Sequence, residues 1–295
     1  MKAILATGGQ GQVGIELGRL AWPDDCELHL IDLPEVDLRD PAAIARKMDE
    51  RAWDAVLSVG AYTAVDQAES DVVTAWQVNA LAPAAFTAAC AERDIPLVHV
   101  STDYVFDGSK AGPWRESDAP NPLGVYGASK LGGELAVRSG CPRHAVVRTS
   151  WVVSPHGRNF VTTMLRLGAE RDRLSVVADQ RGAPTSAADL AAAIAQIALA
   201  MMADRVAPTG VFHFSNAGET TWHELAEAIF VEAAERRGKV PVVEAIATAQ
   251  YPTPARRPAN SLLANDAIRE AYGITARPWR EALGEIVDTI LKGRS

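Results

Sequence analysis

The segment Thr7-Gly8-Gly9-Gln10-Gly11-Gln12-Val13-Gly14 constrains this chain more than any other. It closes a short apolar run, Ala3-Ile4-Leu5-Ala6, and opens a stretch of helical spacing from Gln12 to Leu20. A buried strand, a glycine turn and a helix in succession form a unit that can receive a diphosphate. Glycines let the backbone turn tightly and approach the ligand, and the unpaired N–H groups of the helix start face its negative charge. The glycines read as Gly9-x-Gly11-x-x-Gly14 and equally as Gly8-x-x-Gly11-x-x-Gly14. Their place after the first strand and before a helix supplies the context that a lone glycine motif lacks. The second strand-like run, Glu27 to Ile31, stops at Asp32. A carboxylate there can accept hydrogen bonds from an adenosine ribose, which predicts a lean towards NADH over NADPH because a 2′-phosphate would face a like charge. Arg39 lies a little beyond it.

The alternation continues along the chain. Asp40 before Pro41 starts a helix, since Asp caps free N–H groups and Pro is preorganised at the first helical position. Ala55 to Val59, Leu97 to Ser101 and Ala145 to Arg148 read as strands. Asp71 to Glu92 reads as mainly helical, ended or kinked at Pro83, and Ser129 to Arg138 as helix. Short strands, apolar throughout and separated by helices, predict an α/β fold with a doubly wound parallel sheet of the Rossmann type. After Trp151 the loops lengthen and prolines cluster, notably over residues 251–258. The expected organisation is an NAD(P)-binding Rossmann domain over 1–150, also using part of 183–212. A smaller, irregular substrate-binding domain over 151–295 is interleaved with it.

Composition narrows the partners. The 295 residues carry a net charge of -8, which argues against a nucleic-acid or anionic-membrane surface, either of which needs a basic face. Cys26, Cys90 and Cys141 are isolated, with no CxxC pair, as suits a reducing cytoplasm and disfavours a zinc ribbon or disulfide framework. The N-terminal apolar run is too short for a signal-peptide core. Leu190 to Ala203 is too short to span a bilayer and reads as a buried helix.

Tyr126-Gly127-Ala128-Ser129-Lys130 puts Tyr and Lys on one helical face. An ammonium beside a phenol stabilises the phenolate, so the pair reads as a proton donor to a carbonyl oxygen. Thr102, at the end of the fourth strand, can hydrogen-bond the same oxygen, since open α/β sheets bind ligands at the strands' carboxyl ends.

Together these motifs resemble an extended short-chain dehydrogenase/reductase, and more narrowly the dTDP-4-dehydrorhamnose reductase family. The narrower resemblance rests on Thr63-Ala64-Val65-Asp66-Gln67-Ala68-Glu69, Ser101-Thr102-Asp103-Tyr104-Val105-Phe106 and the stretch Asn121 to Lys130. It continues through Arg148-Thr149-Ser150-Trp151-Val152, Asn159-Phe160, Asp179 to Thr185 and Arg257-Pro258-Ala259-Asn260-Ser261, and so covers nearly the whole chain. The resemblance implies reduction of the C4 ketone of dTDP-4-dehydro-L-rhamnose with NADPH or NADH. In it Tyr126 is the proton donor, Lys130 lowers the Tyr126 pKa and holds the nicotinamide ribose, and Thr102 orients the carbonyl. Gly8, Gly11, Gln12, Val13, Gly14, Asp32, Gly60, Ala61, Tyr62, Tyr126 and Lys130 would contact the coenzyme. Thr63, Val65, Asp103, Tyr104, Trp151, Asn159 and Arg257 would contact the nucleotide sugar, with Arg257 on its diphosphate. A monomer or homodimer in the cytoplasm is expected.

The chain departs from the family's pattern in places. Ser58-Val59-Gly60-Ala61 stands where Asn-x-Ala-Ala is frequent. Some members bind Mg²⁺ at a dimer interface. Glu16 matches one of those ligands, but Ser186-Ala187-Ala188-Asp189 has alanine where another acid is expected, which predicts a metal-independent enzyme. Asn79 matches a superfamily asparagine that organises the site. Three rival functions follow from the same scaffold. A dehydratase would need Thr-Asp-Glu, whereas the chain has Thr102-Asp103-Tyr104. A reductase or epimerase on another dTDP-4-keto-deoxysugar shares these motifs. A non-catalytic regulatory subunit, such as that of methionine adenosyltransferase, would not need the Tyr–Lys pair.

Overall fold

In the computed structural model of the chain, residues 1–237 and 240–293 are described, 235–237 by their backbone alone. The first half runs β1 (Lys2–Thr7), α1 (Gln12–Arg19), β2 (Cys26–Ile31), α2 (Pro41–Asp49), β3 (Ala55–Ser58), α3 (Val65–Ala68), α4 (Val72–Trp76), α5 (Ala82–Arg93), β4 (Leu97–Thr102), α6 (Val125–Gly140) and β5 (His144–Thr149). The second half runs β6 (Val152–Val153), α7 (Phe160–Glu170), β7 (Arg173–Val177), β8 (Arg181–Gly182), β9 (Thr185–Ser186), α8 (Ala187–Ala203), β10 (Gly210–His213), β11 (Thr220–Thr221), α9 (Trp222–Arg237), β12 (Val242–Ile246), α10 (Asp266–Tyr272) and α11 (Trp279–Lys292).

Six strands form one parallel sheet in the order β10-β5-β4-β3-β1-β2. Successive residues of β1 serve opposite faces, as a pleated strand requires. Ile4 and Ala6 pack with Leu17 of α1 and with Leu190, Ile194 and Ile197 of α8. Ala3 and Leu5 pack with Ile44 and Met48 of α2, Phe86 of α5 and Val137 of α6. Both faces are thus covered, which is why these strands are largely apolar. From β1 the chain turns one way to β2 and then back across to β3 on the other side. That reversal opens a crevice at the carboxyl ends of the strands.

Pro83 neither ends nor breaks its helix. It sits in the first turn of α5, and the residues before it, Gln77–Leu81, form a π-helical turn joining α4 to α5. A proline is tolerated in a first turn, and the widened turn absorbs the local mismatch.

The sixth strand comes from far along the chain. α8 covers the sheet and β10 pairs beside β5, so residues 187–213 pack with the first half. α8 is the apolar stretch read from the sequence as a buried helix; Leu190, Ile194 and Ile197 are fully buried. Each such side chain contributes roughly 1.5–3 kcal/mol relative to exposure. Among the described residues, no helix is long and apolar enough to cross a membrane. A second core gathers Val161 and Leu165 of α7, Leu225 and Ile229 of α9, and Leu283 and Val287 of α11, beside the parallel pair β7–β12.

Candidate active site

A cleft of about 830 Å³ opens at the switch point and runs between the two cores. Gly8, Gly11, Gln12, Val13, Gly14, Asp32, Gly60, Ala61 and Tyr62 line it. So do Thr63, Val65, Thr102, Asp103, Tyr104, Tyr126, Lys130, Trp151 and Asn159. Every residue expected to contact coenzyme or sugar is therefore brought to one cavity, except Arg257.

The glycine end is built by close backbone approach. Gly8 has φ +76, and a Cβ there would lie 2.8 Å from the Cα of Gly60. Thr7 Oγ1 accepts from the N–H groups of Val59 and Gly60 at 3.0 and 2.8 Å, tying the end of β3 to the glycine loop. A Cβ on Gly60 itself would lie 2.8 Å from Leu38 Cδ1 and 3.2 Å from Gly8 N, a close approach that glycine relieves. Asp32 holds the loop in shape: its Oδ2 accepts from Gln10 N at 2.9 Å and its Oδ1 from Leu33 N at 2.8 Å. Gln12 Oε1 accepts from Ser154 Oγ and Asn159 Nδ2, each at 2.9 Å. Asn159 also caps α7, accepting from Thr162 N at 3.1 Å. Its amide thus fastens residues 154–159 over α1, a structural task for a residue expected to contact the sugar.

At the other end Tyr126 and Lys130 stand one turn apart on α6, the tyrosine half-buried at the cleft and the lysine buried. Asn79 braces this helix: its Nδ2 donates to Ser129 Oγ and Tyr62 O, both at 3.1 Å, and its Oδ1 accepts from Tyr62 N at 2.9 Å. Burial pushes the Tyr126 phenol up to about 12, a hydrogen bond with Thr102 opposes this, and the nearby Asp103 charge adds to it. Lys130 is not among the groups that shift the Tyr126 phenol here. Lys130 Nζ instead donates to Val100 O at 2.7 Å. Burial pulls the lysine down to about 8, against the charge of Glu134. Thr102 Oγ1 accepts from Tyr104 N at 3.2 Å and donates to Asp103 Oδ1 at 3.0 Å. The Asp103 carboxyl is pushed up to about 6 by burial, and its Oδ2 has no hydrogen-bond partner.

A glycine-loop cradle, a switch-point crevice and a Thr–Tyr–Lys set share one cleft, an arrangement that could hold a dinucleotide hydride donor beside a proton-donating phenol. The family described as RmlD substrate binding domain matches residues 1–292. The chain belongs to that family. It is 43% identical over 289 residues to the dTDP-4-dehydrorhamnose reductase of Sinorhizobium fredii, covering 98% of this chain and 97% of that one. It is also 43% identical over 296 residues to the protein of the same name from Burkholderia thailandensis, covering 98% and 99%. The crystal structure of dTDP-4-dehydrorhamnose reductase from Bacillus anthracis, in complex with NADP, superposes with a TM-score of 0.90 at 33% identity, covering 98% and 100%.

Within this RmlD-family cleft the far wall is aromatic. Trp151 has a left-handed backbone, φ +48, and stacks on Trp222 with ring centroids 3.6 Å apart. Phe160 leans on Trp222 at 4.7 Å, and Tyr104 meets Tyr126 edge to face at 5.4 Å. One face of Trp151 is thus already covered. Trp222, Phe160, Arg39 and Arg158 line the cleft beyond the contacts expected from the sequence. Trp222 carries no local signal, because it lies 71 positions from the ring it meets. Arg257 lies behind the lining residue Tyr104, its guanidinium 6.0 Å from that ring; Nη2 is held by Asp66 at 2.7 Å, and the buried Nη1 has no partner.

Glu16, which matches one ligand of the family's magnesium site, and Asp189, which follows the alanines where another acid is expected, are both engaged within this chain. Glu16 Oε1 lies 3.0 Å from His156 Nε2, and its Oε2 lies 3.8 Å from Arg19. Asp189 is engaged by Arg277 Nε at 2.9 Å and Asn216 Nδ2 at 2.7 Å. Both carboxylates are engaged by side chains of this chain, on separate partners.

Proposed function

We propose that the chain reduces the C4 ketone of dTDP-4-dehydro-L-rhamnose to dTDP-L-rhamnose, using NADPH or NADH. The observation that carries this is the convergence of Thr102, Tyr126 and Lys130 on the cleft that the glycine loop also lines. The coenzyme fits the loop: the approach of Gly8 to Gly60 leaves no room for a side chain, and the N–H groups at the start of α1 are open to a pyrophosphate. Bound reduced nicotinamide supplies a hydride to C4. Thr102 orients the carbonyl by turning its hydroxyl from Asp103 to the substrate oxygen. Tyr126 gives its phenolic proton to that oxygen. Its raised pKa keeps the proton in place until a stronger base, the alkoxide, forms beside it. Lys130 holds the ribose of the nicotinamide. Trp151 and Trp222 close the sugar end and exclude water. The three cysteines are free, in keeping with a cytoplasmic enzyme, acting as a monomer or homodimer.

The test is an oxidation assay with enzymatically prepared dTDP-4-keto-6-deoxyhexose, with and without a 3,5-epimerase, followed by product analysis. One equivalent of NADH or NADPH is expected to be consumed per dTDP-L-rhamnose formed, only when the epimerase is present. Turnover of the sugar without net oxidation would make the chain an epimerase and overturn the reading. Activity is expected to survive EDTA, since Glu16 and Asp189 are engaged by other residues; loss on chelation, restored by Mg²⁺, would refute the metal-free site.

Coenzyme choice offers a second prediction. Both oxygens of Asp32 already accept backbone N–H bonds, and Arg39, paired with Asp37 at 2.6 Å, lines the same end of the cleft. A guanidinium there can turn to a 2′-phosphate. Arg39→Ala is expected to raise KM for NADPH about tenfold, the worth of one charge-assisted hydrogen bond, and to leave KM for NADH nearly unchanged. Equal changes for both coenzymes would show that Arg39 does not reach the phosphate.

A further inference from the structure

Glu134 lies one turn beyond Lys130 on the same face of α6, and its side chain is fully buried. Its Oε1 accepts from Ser101 Oγ at 2.5 Å and from Arg148 Nε at 2.8 Å; its Oε2 accepts from Arg148 Nη2 at 2.6 Å. Ser101 and Arg148 face each other across the β4–β5 pair, and the next pair in register is Thr102 and Thr149. Both threonines line the cleft. One carboxylate therefore joins three elements within a residue of the group that would orient the substrate. A buried ion pair is a poor device for stability, because desolvation offsets its attraction and apolar residues of similar size often replace it without loss. Its location calls for another explanation.

We propose that Glu134 is a positioning residue: it fixes the helix that bears Tyr126 and Lys130 against the strand ends that bear Thr102 and Thr149, and keeps Lys130 an ammonium ion. The proposal rests on the reductase reading above. Among the described residues, the surroundings of Lys130 make Glu134 its one close counter-charge. On α6 it shares the face with Tyr126, a neutral phenol. From β4 comes His99, which burial and the lysine charge hold neutral. Asp103 follows β4, and its Oδ1 is taken by Thr102. From β5 comes Arg148, bound to Glu134. The π-helical turn brings Asn79, which is uncharged. On α5, Cys90 is kept a neutral thiol by burial, and Arg93 pairs with Asp49 and Glu92. Glu69 meets α6 at its far end, accepting from Val125 N at 2.9 Å. Burial draws the Lys130 pKa down, and Glu134 is the charge that opposes it.

The sign follows. Wild-type kcat/KM is expected to fall as pH rises through about 8, where Lys130 loses its proton. Glu134→Gln keeps the shape and removes the charge, so this limb is expected to move to lower pH by about one unit. The double variant Glu134→Leu with Arg148→Met leaves no charge unpaired in the core. It removes two opposite charges together, so it is expected to fold, as judged by Tm, and to show a smaller shift than Glu134→Gln, with kcat reduced about tenfold and KM for the sugar nucleotide little changed. Coenzyme binding, followed by tryptophan fluorescence against pH, reads Lys130 without turnover and is expected to shift in parallel. That titration separates the two readings: a wild-type protein that binds coenzyme but reduces no keto-sugar refutes the function and leaves Glu134 testable. An unshifted limb in folded Glu134→Gln overturns the proposal, as does an unchanged kcat in the folded double variant. So does a double variant that cannot fold, because the pair would then serve the core rather than the lysine.

Discussion

Tyr126→Phe is expected to lower kcat by about 10²–10⁴, the usual contribution of a positioned general acid, with coenzyme KM changed less than about threefold. The substitution removes one oxygen and little else. The Tyr104 ring meets Tyr126 edge to face at 5.4 Å, a contact that phenylalanine retains. The lost hydrogen bond is to Thr102, which keeps Asp103 and the Tyr104 N–H as partners. The fold should therefore survive, and the change should appear in the chemical step. Oxidation of reduced nicotinamide with the keto-sugar, under saturating conditions, measures it. Wild-type turnover in this variant would move the proton donor elsewhere, and Asp103, buried and partly free, would be the next group to examine.

Gly14→Ala should weaken coenzyme binding by up to about 100-fold. A Cβ at Gly14 would lie 2.0 Å from Gly8 O and 2.8 Å from both Gly8 C and Gly9 Cα. All three are backbone atoms, so no flexible side chain can give way. The turn closed by Gly11 N donating to Gly8 O at 2.9 Å must then open, and that turn shapes the diphosphate cradle. Overpacking of this kind costs about 1–3 kcal/mol or more, which at the upper end corresponds to a rise in Kd of about 100-fold. Fluorescence titration with NADH or NADPH reads it directly. Gly112 supplies the control, since a Cβ there meets nothing within 4 Å and Gly112→Ala should bind as wild type. Equal affinity in the two variants would mean that the glycine loop does not hold the coenzyme.

Much of this fold is legible residue by residue. The strands stand out because a parallel sheet covered on both faces favours apolar residues, so β1 and β3 are largely apolar, while β4 and β5 carry His99, Ser101, Thr102, Arg148 and Thr149 among their apolar residues. The glycine loop and the Tyr126–Lys130 spacing are legible for a related reason: each is a local string whose geometry follows from one turn or one helix. Pro83 departs from expectation because it falls in the first turn of α5, where a missing N–H costs no intrahelical bond, so the helix starts there instead of ending. Arg257 departs because the sequence does not show that Asp66, 191 positions away, takes its guanidinium. Glu134 continues the four-residue spacing of Tyr126 and Lys130, but nothing local says that Arg148 will meet it.

The sequence by itself determined the strand–turn–helix unit, the alternation that builds a parallel sheet, and which residue types could carry a reduction. These depend on interactions within a few residues of one another. Only the tertiary structure decided which charges neutralise which. It paired Glu134 with Arg148 behind the lysine, Glu16 with His156 where a metal was conceivable, and Trp151 with Trp222 at the sugar end. It also reversed the environment of Tyr126, whose phenol is governed first by burial and not by the neighbouring ammonium. The physical reason is common to all of these. Desolvation and ion pairing act through space between segments far apart in the chain, so their balance exists only once the chain is packed.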